Sequence, residues 1–300
     1  MEGLTDPLMR NLLTSAGDFD WCVTEFIRIT DTVLPDSSFY LLCPELENGG
    51  KTAAGTPVHV QLLGSNAEML AANAIRAASL GAPAIDLNFG CPAKTVNRHR
   101  GGSVLLDEPE VIYQVVKAVR DAVPAEIPVS AKMRLGYMDR NFTLENAHAI
   151  EDAGANWLTV HARTKAEGYK PPAFWDQLRP IRNAINMNVI ANGEIWNNAD
   201  AKQCQLESGC EDLMIGRGAV TTPDITHCIR KDSESVIMTW SELLQLQRRF
   251  LEGRTLLYGP KTTESREHEA EQQWLKIKAT KEDEEAQKLI KTKIKAREQR

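Results

Sequence analysis

Ala84-Ile-Asp-Leu-Asn-Phe-Gly-Cys-Pro92 is the stretch from which the rest of the chain is read. Ile85 and Leu87 make an apolar run of strand type that ends in Asn88. A glycine, a cysteine and a proline follow. Pro92 cannot donate to a sheet ladder, so the strand stops there. Behind it lies a basic, glycine-bearing loop with Lys94, Arg98, His99, Arg100, Gly101 and Gly102. A thiol at the carboxyl end of a buried strand is where an α/β barrel keeps its chemistry. Taken alone, Cys91 is as readily a small buried hydrophobe, which is what most free cysteines are. The flanking sequence has to decide.

Outward from this stretch, strands and helices alternate. Pro57 to Gly64 alternates as a strand, and Ser65 with Glu68 reads as a capping box for a helix that Gly81 ends. On the other side, Asp107 and Glu110 read as a second capping box, with Pro109 in the first turn. Val111, Ile112, Val115, Val116 and Val119 give that helix an apolar stripe. Ile127 to Arg134 reads as a strand, 143–153 as a helix, Trp157 to His161 as a strand and 174–185 as a helix. Met187 to Asn192, helix 197–208 and Asp212 to Gly216 continue the pattern. Upstream, Leu8, Leu12 and Leu13 mark a short helix after a turn at Thr5-Asp6-Pro7, and Trp21 to Thr24 is strand-like. Such alternation implies parallel pairing with right-handed crossovers.

Seven strands are counted, near residues 22, 60, 86, 130, 159, 190 and 214. A closed barrel of this kind needs eight. The expected fold is therefore a TIM (β/α)8 barrel lacking its first strand, which would precede Met1, followed by a C-terminal helical segment. The barrel is assigned to 1–237 and the helical segment to 238–300. Trp240 to Arg254 reads as a helix, and the charged residues 261–300 read as thin in core, with roughly the last two dozen solvated or disordered.

Composition narrows the class. In 300 residues with 42% hydrophobic content there is material for a sizeable core, and the net charge of -6 argues against a uniformly basic nucleic-acid binder. Local basic patches remain open. No run of apolar residues approaches a bilayer span, and there is no secretory start. The six cysteines show no CxxC spacing, so no metal site is expected. A reducing, cytoplasmic location with free thiols is the simplest account.

The carboxyl ends of the strands gather polar groups: Glu25 and Arg28, Gln61, Asn88 with Cys91, Lys132 with Arg134, His161 with Arg163, Asn192-Gly193-Glu194, and Gly216-Arg217-Gly218. A single Gln61 or His161 could be a satisfied core residue. Lys132 inside a strand is harder to dismiss, because a buried lysine needs an anionic partner. The glycine signals at 193 and 216 fall after the seventh and eighth strands of the completed barrel, where such folds commonly bind phosphate. A lysine, a histidine and a carboxamide nearby suit a flat polar ring, which points to flavin mononucleotide (FMN).

The motifs Asn88-Phe-Gly-Cys-Pro92, Val60-Gln61-Leu-Leu-Gly64, Lys132-Met-Arg134, His161-Ala-Arg163-Thr164, Ala191-Asn-Gly-Glu194 and Ile215-Gly-Arg-Gly218 resemble those of the tRNA-dihydrouridine synthases. The resemblance runs from residue 1 to about 258. Met1-Glu-Gly3 is similar to the tail of that family's N-terminal proline-methionine motif. Cys22 to Arg28, Cys43 to Leu46 and Ala191 to Trp196 look closest to its C-type bacterial branch, which acts on uridine 16 of the D loop. The resemblance implies an NADPH-driven FMN enzyme that reduces a tRNA uridine to dihydrouridine. Hydride would pass from reduced flavin to C6, and Cys91 would give a proton to C5. It further implies that Met1, Glu2, Gly3, Gln61, Lys132, His161, Asn192, Gly193, Glu194, Gly216 and Arg217 hold FMN, and that Arg28, Asn88, Arg134 and Tyr169 face the tRNA. Arg98, Arg100, Lys165 and Lys170 are candidates for phosphate contacts. Two other readings compete: an FMN-dependent reductase of a free pyrimidine, and a non-catalytic RNA-binding relic.

Overall fold

The computed structural model describes residues 5–234 and 238–258. Met1, Glu2 and Gly3 and the charged segment after 258 lie outside these described residues. The chain enters through the helix Pro7–Ala16, which Asp6 caps by accepting a hydrogen bond from the Met9 amide at 2.9 Å. Pro7 sits at the first helical position, where its missing N–H costs nothing.

Eight strand segments follow: β1 (Cys22–Val23), β2 (Ile27–Arg28), β3 (Val58–Leu63), β4 (Ile85–Phe89), β5 (Val129–Arg134), β6 (Trp157–His161), β7 (Asn188–Asn192) and β8 (Leu213–Met214). All pairings between them are parallel. β1 and β2 both lie along β3, with Cys22 opposite Val58 and Ile27 opposite Leu62, so they are two pieces of one sheet position. The interruption has a local cause: the Gln61 amide donates to Thr24 Oγ1 at 3.0 Å instead of to a ladder carbonyl. The sheet thus has the seven positions expected, running from β1 and β2 to β8.

Two expected helix starts are corrected. The helix Ala67–Ser79 is capped by Asn66, whose side chain accepts from the Met69 amide, and not by Ser65 with Glu68. The helix Pro109–Ala122 begins after Glu108 without a side-chain cap, so Asp107 and Glu110 form no capping box. In both cases the first helical turn starts one residue later than the spacing suggests, which moves the capping oxygen out of reach.

Alternation along the strands separates an apolar outer face from a mostly polar inner one, with Ile190, opposite Thr159, an apolar exception inside. Ile85, Leu87, Phe89, Val129, Ala131, Met133, Leu158, Val160, Val189 and Ala191 pack outward against the helices in one large core. Their neighbours on the inner face are Asp86, Asn88, Ser130, Lys132, Arg134, Thr159, His161 and Asn192. A second, smaller core joins the two ends of the described chain: Met9, Leu12 and Leu13 of the first helix meet Ala219, Val220, Ile225 and Phe250. Phe250 belongs to the helix Trp240–Tyr258, which also sets Arg254 3.3 Å from Asp6.

The amino-terminal end of the sheet interior is filled by aromatic rings. His59 stacks on Trp21 at 5.3 Å and meets Trp157 at 5.6 Å, while Trp21 and Trp157 stand 5.5 Å apart. His59 is buried and its Nδ1 has no hydrogen-bond partner among the described residues. Burial lowers its pKa from 6.5 to about 4. The unfolded chain binds that proton near pH 6.5 and the folded chain does not. Stability from this site is therefore complete above pH 6.5 and is lost as pH falls towards 4. The loss should approach about 3 kcal/mol. Denaturant melts at stepped pH should show this slope in the parent and a shallower one in His59→Phe. Equal slopes would exclude His59 as its source.

Candidate functional site

The carboxyl ends of β3 to β8 carry the polar groups singled out from the sequence. Lys132 on β5 donates to Asn192 Oδ1 on β7 at 2.9 Å, and Asn192 Nδ2 donates to the Met214 carbonyl at 2.7 Å. Strand register sets Lys132 opposite Asn88 on one side and Thr159 on the other. Burial, with the charge of Arg134 beside it, lowers the Lys132 pKa to about 8, and Asp86 opposes that shift. Asp86 is itself raised to about 6 by burial. Between those values the lysine is protonated and the aspartate ionised.

His161 at the end of β6 stands 3.4 Å from Arg134 Nη1. Burial, and then the charges of Arg134, Lys132, Arg163 and Arg217, hold it well below its ordinary pKa, so the ring is neutral. Gly193 adopts φ +123°, a conformation open to glycine alone, and a Cβ there would stand 3.5 Å from His161 Nε2. The glycine therefore keeps space open beside the imidazole.

Glu194 follows at φ +56°. Its Oε1 accepts from Arg217 Nη2 at 2.8 Å and lies 3.1 Å from Arg163 Nη2, and its Oε2 accepts from Trp196 Nε1 at 3.2 Å. Arg163 is fully buried, and its Nη1 finds no hydrogen-bond partner among the described residues. Arg217 lies over both Trp196, at 5.0 Å, and Tyr169, at 5.3 Å. Close approach after β8 is explicit at Gly218, where a Cβ would meet the Ile195 carbonyl oxygen at 2.0 Å.

Cys91 is held by its backbone. Its carbonyl accepts from the Ser103 amide at 3.1 Å, Ser103 Oγ at 2.9 Å and Asn97 Nδ2 at 3.0 Å. Gly102, at φ +67°, passes so near that a Cβ would lie 2.9 Å from Cys91 Cβ. Leu63 and Val96 pack against the cysteine. Arg134 is buried, and its Nε donates to the Gly90 carbonyl at 2.9 Å, while Nη1 donates to Gly168 at 3.0 Å and Thr164 at 3.2 Å. It thus ties the Cys91 loop to the Tyr169 loop. Tyr169 is half exposed, with Arg134 5.1 Å from its ring centre and His161 against its edge.

Arg28 is exposed on β2 and lines a separate groove of about 480 Å³ with Arg98, His99 and Arg100. That groove shares Leu63 and Val96 with the surroundings of Cys91. Lys165 lies 4.6 Å over the Tyr137 ring, and Lys170 is exposed on the same loop as Tyr169. Sequence reasoning passed over Asp86 and the buried state of Arg163. Asp86 was visible as the polar member of an alternating Ile85-Asp-Leu-Asn88 pattern; nothing in the sequence marks Arg163 as buried.

Four cationic or donor groups, Lys132, His161, Arg163 and Arg217, surround this end of the sheet with Glu194 and Asp86 as the nearby carboxylates. The donor set and the space beside Gly193 fit an anionic, planar polar group such as FMN. Among the described residues no helix is long and apolar enough to cross a membrane.

The chain as a whole is similar to known proteins. The tRNA-dihydrouridine(16) synthase of Shewanella oneidensis is 50% identical over 264 residues, covering 87% of this chain and 83% of that protein. The corresponding protein of Pseudomonas syringae pv. tomato is 52% identical over 253 residues, covering 83% and 80%. Among solved structures, morphinone reductase in complex with tetrahydroNAD superimposes with a TM-score of 0.53 at 14% identity, over 77% of this chain and 83% of that one. Histamine dehydrogenase from Rhizobium sp. 4-9 gives 0.55 at 14% identity, over 77% and 44%. At that identity the likeness concerns the barrel fold alone. The model of the dihydrouridine synthase family matches residues 1–297, further than the motifs at 1 to about 258, and this chain belongs to that family.

Proposed function

We propose that this chain reduces a uridine of tRNA to 5,6-dihydrouridine, with FMN as bound cofactor and NADPH as reductant, and that its target is position 16 of the D loop. The observation that supports the reading is a cysteine whose backbone is fixed just beyond β4, the strand whose Asn88 donates to Gln61, in a chain half identical to tRNA-dihydrouridine(16) synthases. tRNA and NADPH as substrates make the cytoplasm the compartment of the reaction.

Bound FMN supplies the hydride for C6 of the uracil. The chain's own residues do the rest. Gln61, Lys132, His161, Asn192, Gly193, Glu194, Gly216 and Arg217 would hold the cofactor, and the Lys132 ammonium would stabilise the negative charge of its reduced form. Met1, Glu2 and Gly3 join this set in our reading. Cys91 gives its S–H proton to C5, completing addition of hydride and proton across the C5=C6 bond. The hydrogen bonds on the Cys91 carbonyl and the close approach of Gly102 hold its backbone in place, which supports its role as a positioned general acid. Asn88, Arg28 and Tyr169 face the nucleotide, and Arg134 fixes the loops that carry Cys91 and Tyr169. The target base must leave the stack to reach this site. Arg28, Arg98 and Arg100 in the groove, with Lys165 and Lys170, meet tRNA phosphates.

Cys91→Ala should keep bound FMN and its reduction by NADPH while tRNA turnover falls about 10²–10⁴-fold. Undiminished turnover would remove Cys91 from the mechanism. Lys132→Met should weaken FMN binding and lower the potential of the bound flavin; spectroelectrochemistry showing parental content and potential would rule out its role. Binding of unmodified tRNA should weaken steeply with salt, and neutralising Arg98, Arg100, Lys165 or Lys170 should each reduce the log–log slope by roughly one. Salt-independent binding, with free uridine reduced as fast as tRNA, would favour a free-pyrimidine reductase.

A further inference from the structure

Asp86 has no part in the mechanism above, yet it is the root of the hydrogen-bond chain that reaches the site. It is 2% exposed on the inner face of β4. Its Oδ1 accepts from Ser130 Oγ at 2.7 Å, and its Oδ2 accepts from Gln61 Nε2 at 2.6 Å. Gln61 Oε1 then accepts from Asn88 Nδ2 at 2.7 Å, and Asn88 Oδ1 accepts from the Gly90 amide at 2.9 Å.

Every bond in this chain points the same way. A carboxylate has no hydrogen to give, so Gln61 must turn its nitrogen towards Asp86 and its oxygen towards Asn88. Asn88 must then turn its nitrogen towards Gln61. At the far end Gly90 offers a backbone N–H, which can only donate, and it meets the Asn88 oxygen. The two ends enforce one polarity. Reversal would set oxygen against oxygen at Asp86 and N–H against N–H at Gly90. Each amide keeps one further N–H outside the chain.

We propose that Asp86 is a positioning residue that fixes the amides of Gln61 and Asn88 so that both offer N–H donors at the site, Gln61 to the flavin and Asn88 to the pyrimidine ring. The proposal rests on the flavin and uridine reading given above. It selects ligand edges that carry acceptors: ring carbonyls and unprotonated ring nitrogens. A uracil C4 carbonyl meets that demand where a cytosine amino group does not.

The test exchanges donor and acceptor. In Asp86→Asn one of the two ends that set the polarity is lost, leaving Gln61 oriented only through Asn88 and Gly90, and FMN affinity of the apoprotein should fall by up to roughly tenfold, the worth of one hydrogen bond. The KM for tRNA should rise. The double variant Asp86→Asn/Gln61→Glu keeps the bond between the two positions with its polarity reversed and returns a negative charge to the network beside Lys132. The carboxylate then standing at position 61 still accepts from Asn88 but has no N–H to give the flavin. Thermal stability and the KM for tRNA should therefore recover in the double variant, while FMN affinity stays low. Full recovery of FMN affinity would overturn the proposal, as would a single variant with parental FMN affinity and KM. If neither variant folds, the parent decides: with nitrogen-15-labelled Asn and Gln, one side-chain N–H each of Gln61 and Asn88 should exchange slowly with deuterium, and rapid exchange of all four would overturn the proposal. A parent that binds no FMN would refute the flavin reading and leave the amide-exchange result standing.

Discussion

Charge inside a sheet governs this molecule. Lys132 and Asp86 project from neighbouring strands into the same enclosed interior, where an unpaired ion would cost far more than any single packing contact contributes. Their effects on one another are reciprocal: the aspartate supports the ammonium, and the ammonium with two hydrogen bonds supports the carboxylate. The polar side chains of the inner face gather around these two groups. Ser130, Gln61, Asn88 and Asn192 each bond to one of the two ions or to a group that does. The apolar outer face, which packs on the helices, is free of this demand, and a one-residue slip of any strand would exchange the two faces.

The two ends of the interior are built differently. At the amino ends of the strands, Trp21, His59 and Trp157 close the space with stacked rings that need no charge. At the carboxyl ends, positive groups crowd together and one carboxylate, Glu194, is shared by two arginines. Rigid closure below and mutual repulsion above leave the upper end ready for an anion. The Tyr169 ring lies against both Arg134 and Arg217 while remaining half exposed.

Much of this was legible in the sequence. The strand and helix order could be followed from apolar spacing, and Asn88, Cys91, Lys132, His161 and Asn192 could be placed on one face because their strands end there. What escaped was set by tertiary geometry. Asn66 caps a helix where Ser65 was expected, because the backbone enters one residue later. Arg134 looked like a ligand-facing cation but is committed to three carbonyls, and nothing in its neighbours announces that. In Gly216-Arg217-Gly218 the steric need at Gly218 escaped, because the Ile195 carbonyl that meets it comes from another turn. Asp86 escaped because one acidic residue in an alternating strand reads as surface until the opposite strand is known to supply Ser130.

The small core between the first helix and the helix Trp240–Tyr258 has a kinetic consequence. Asp6 pairs with Arg254, Ser15 with Arg249, and the Asp18 amide donates to Thr226, partners more than two hundred residues apart. Such contacts cannot form during synthesis until nearly the whole barrel has been made. The first helix must wait, with Leu12 and Leu13 uncovered, for the last described helix to arrive. High loop-closure entropy favours late formation of this seam, after the barrel elements between its partners.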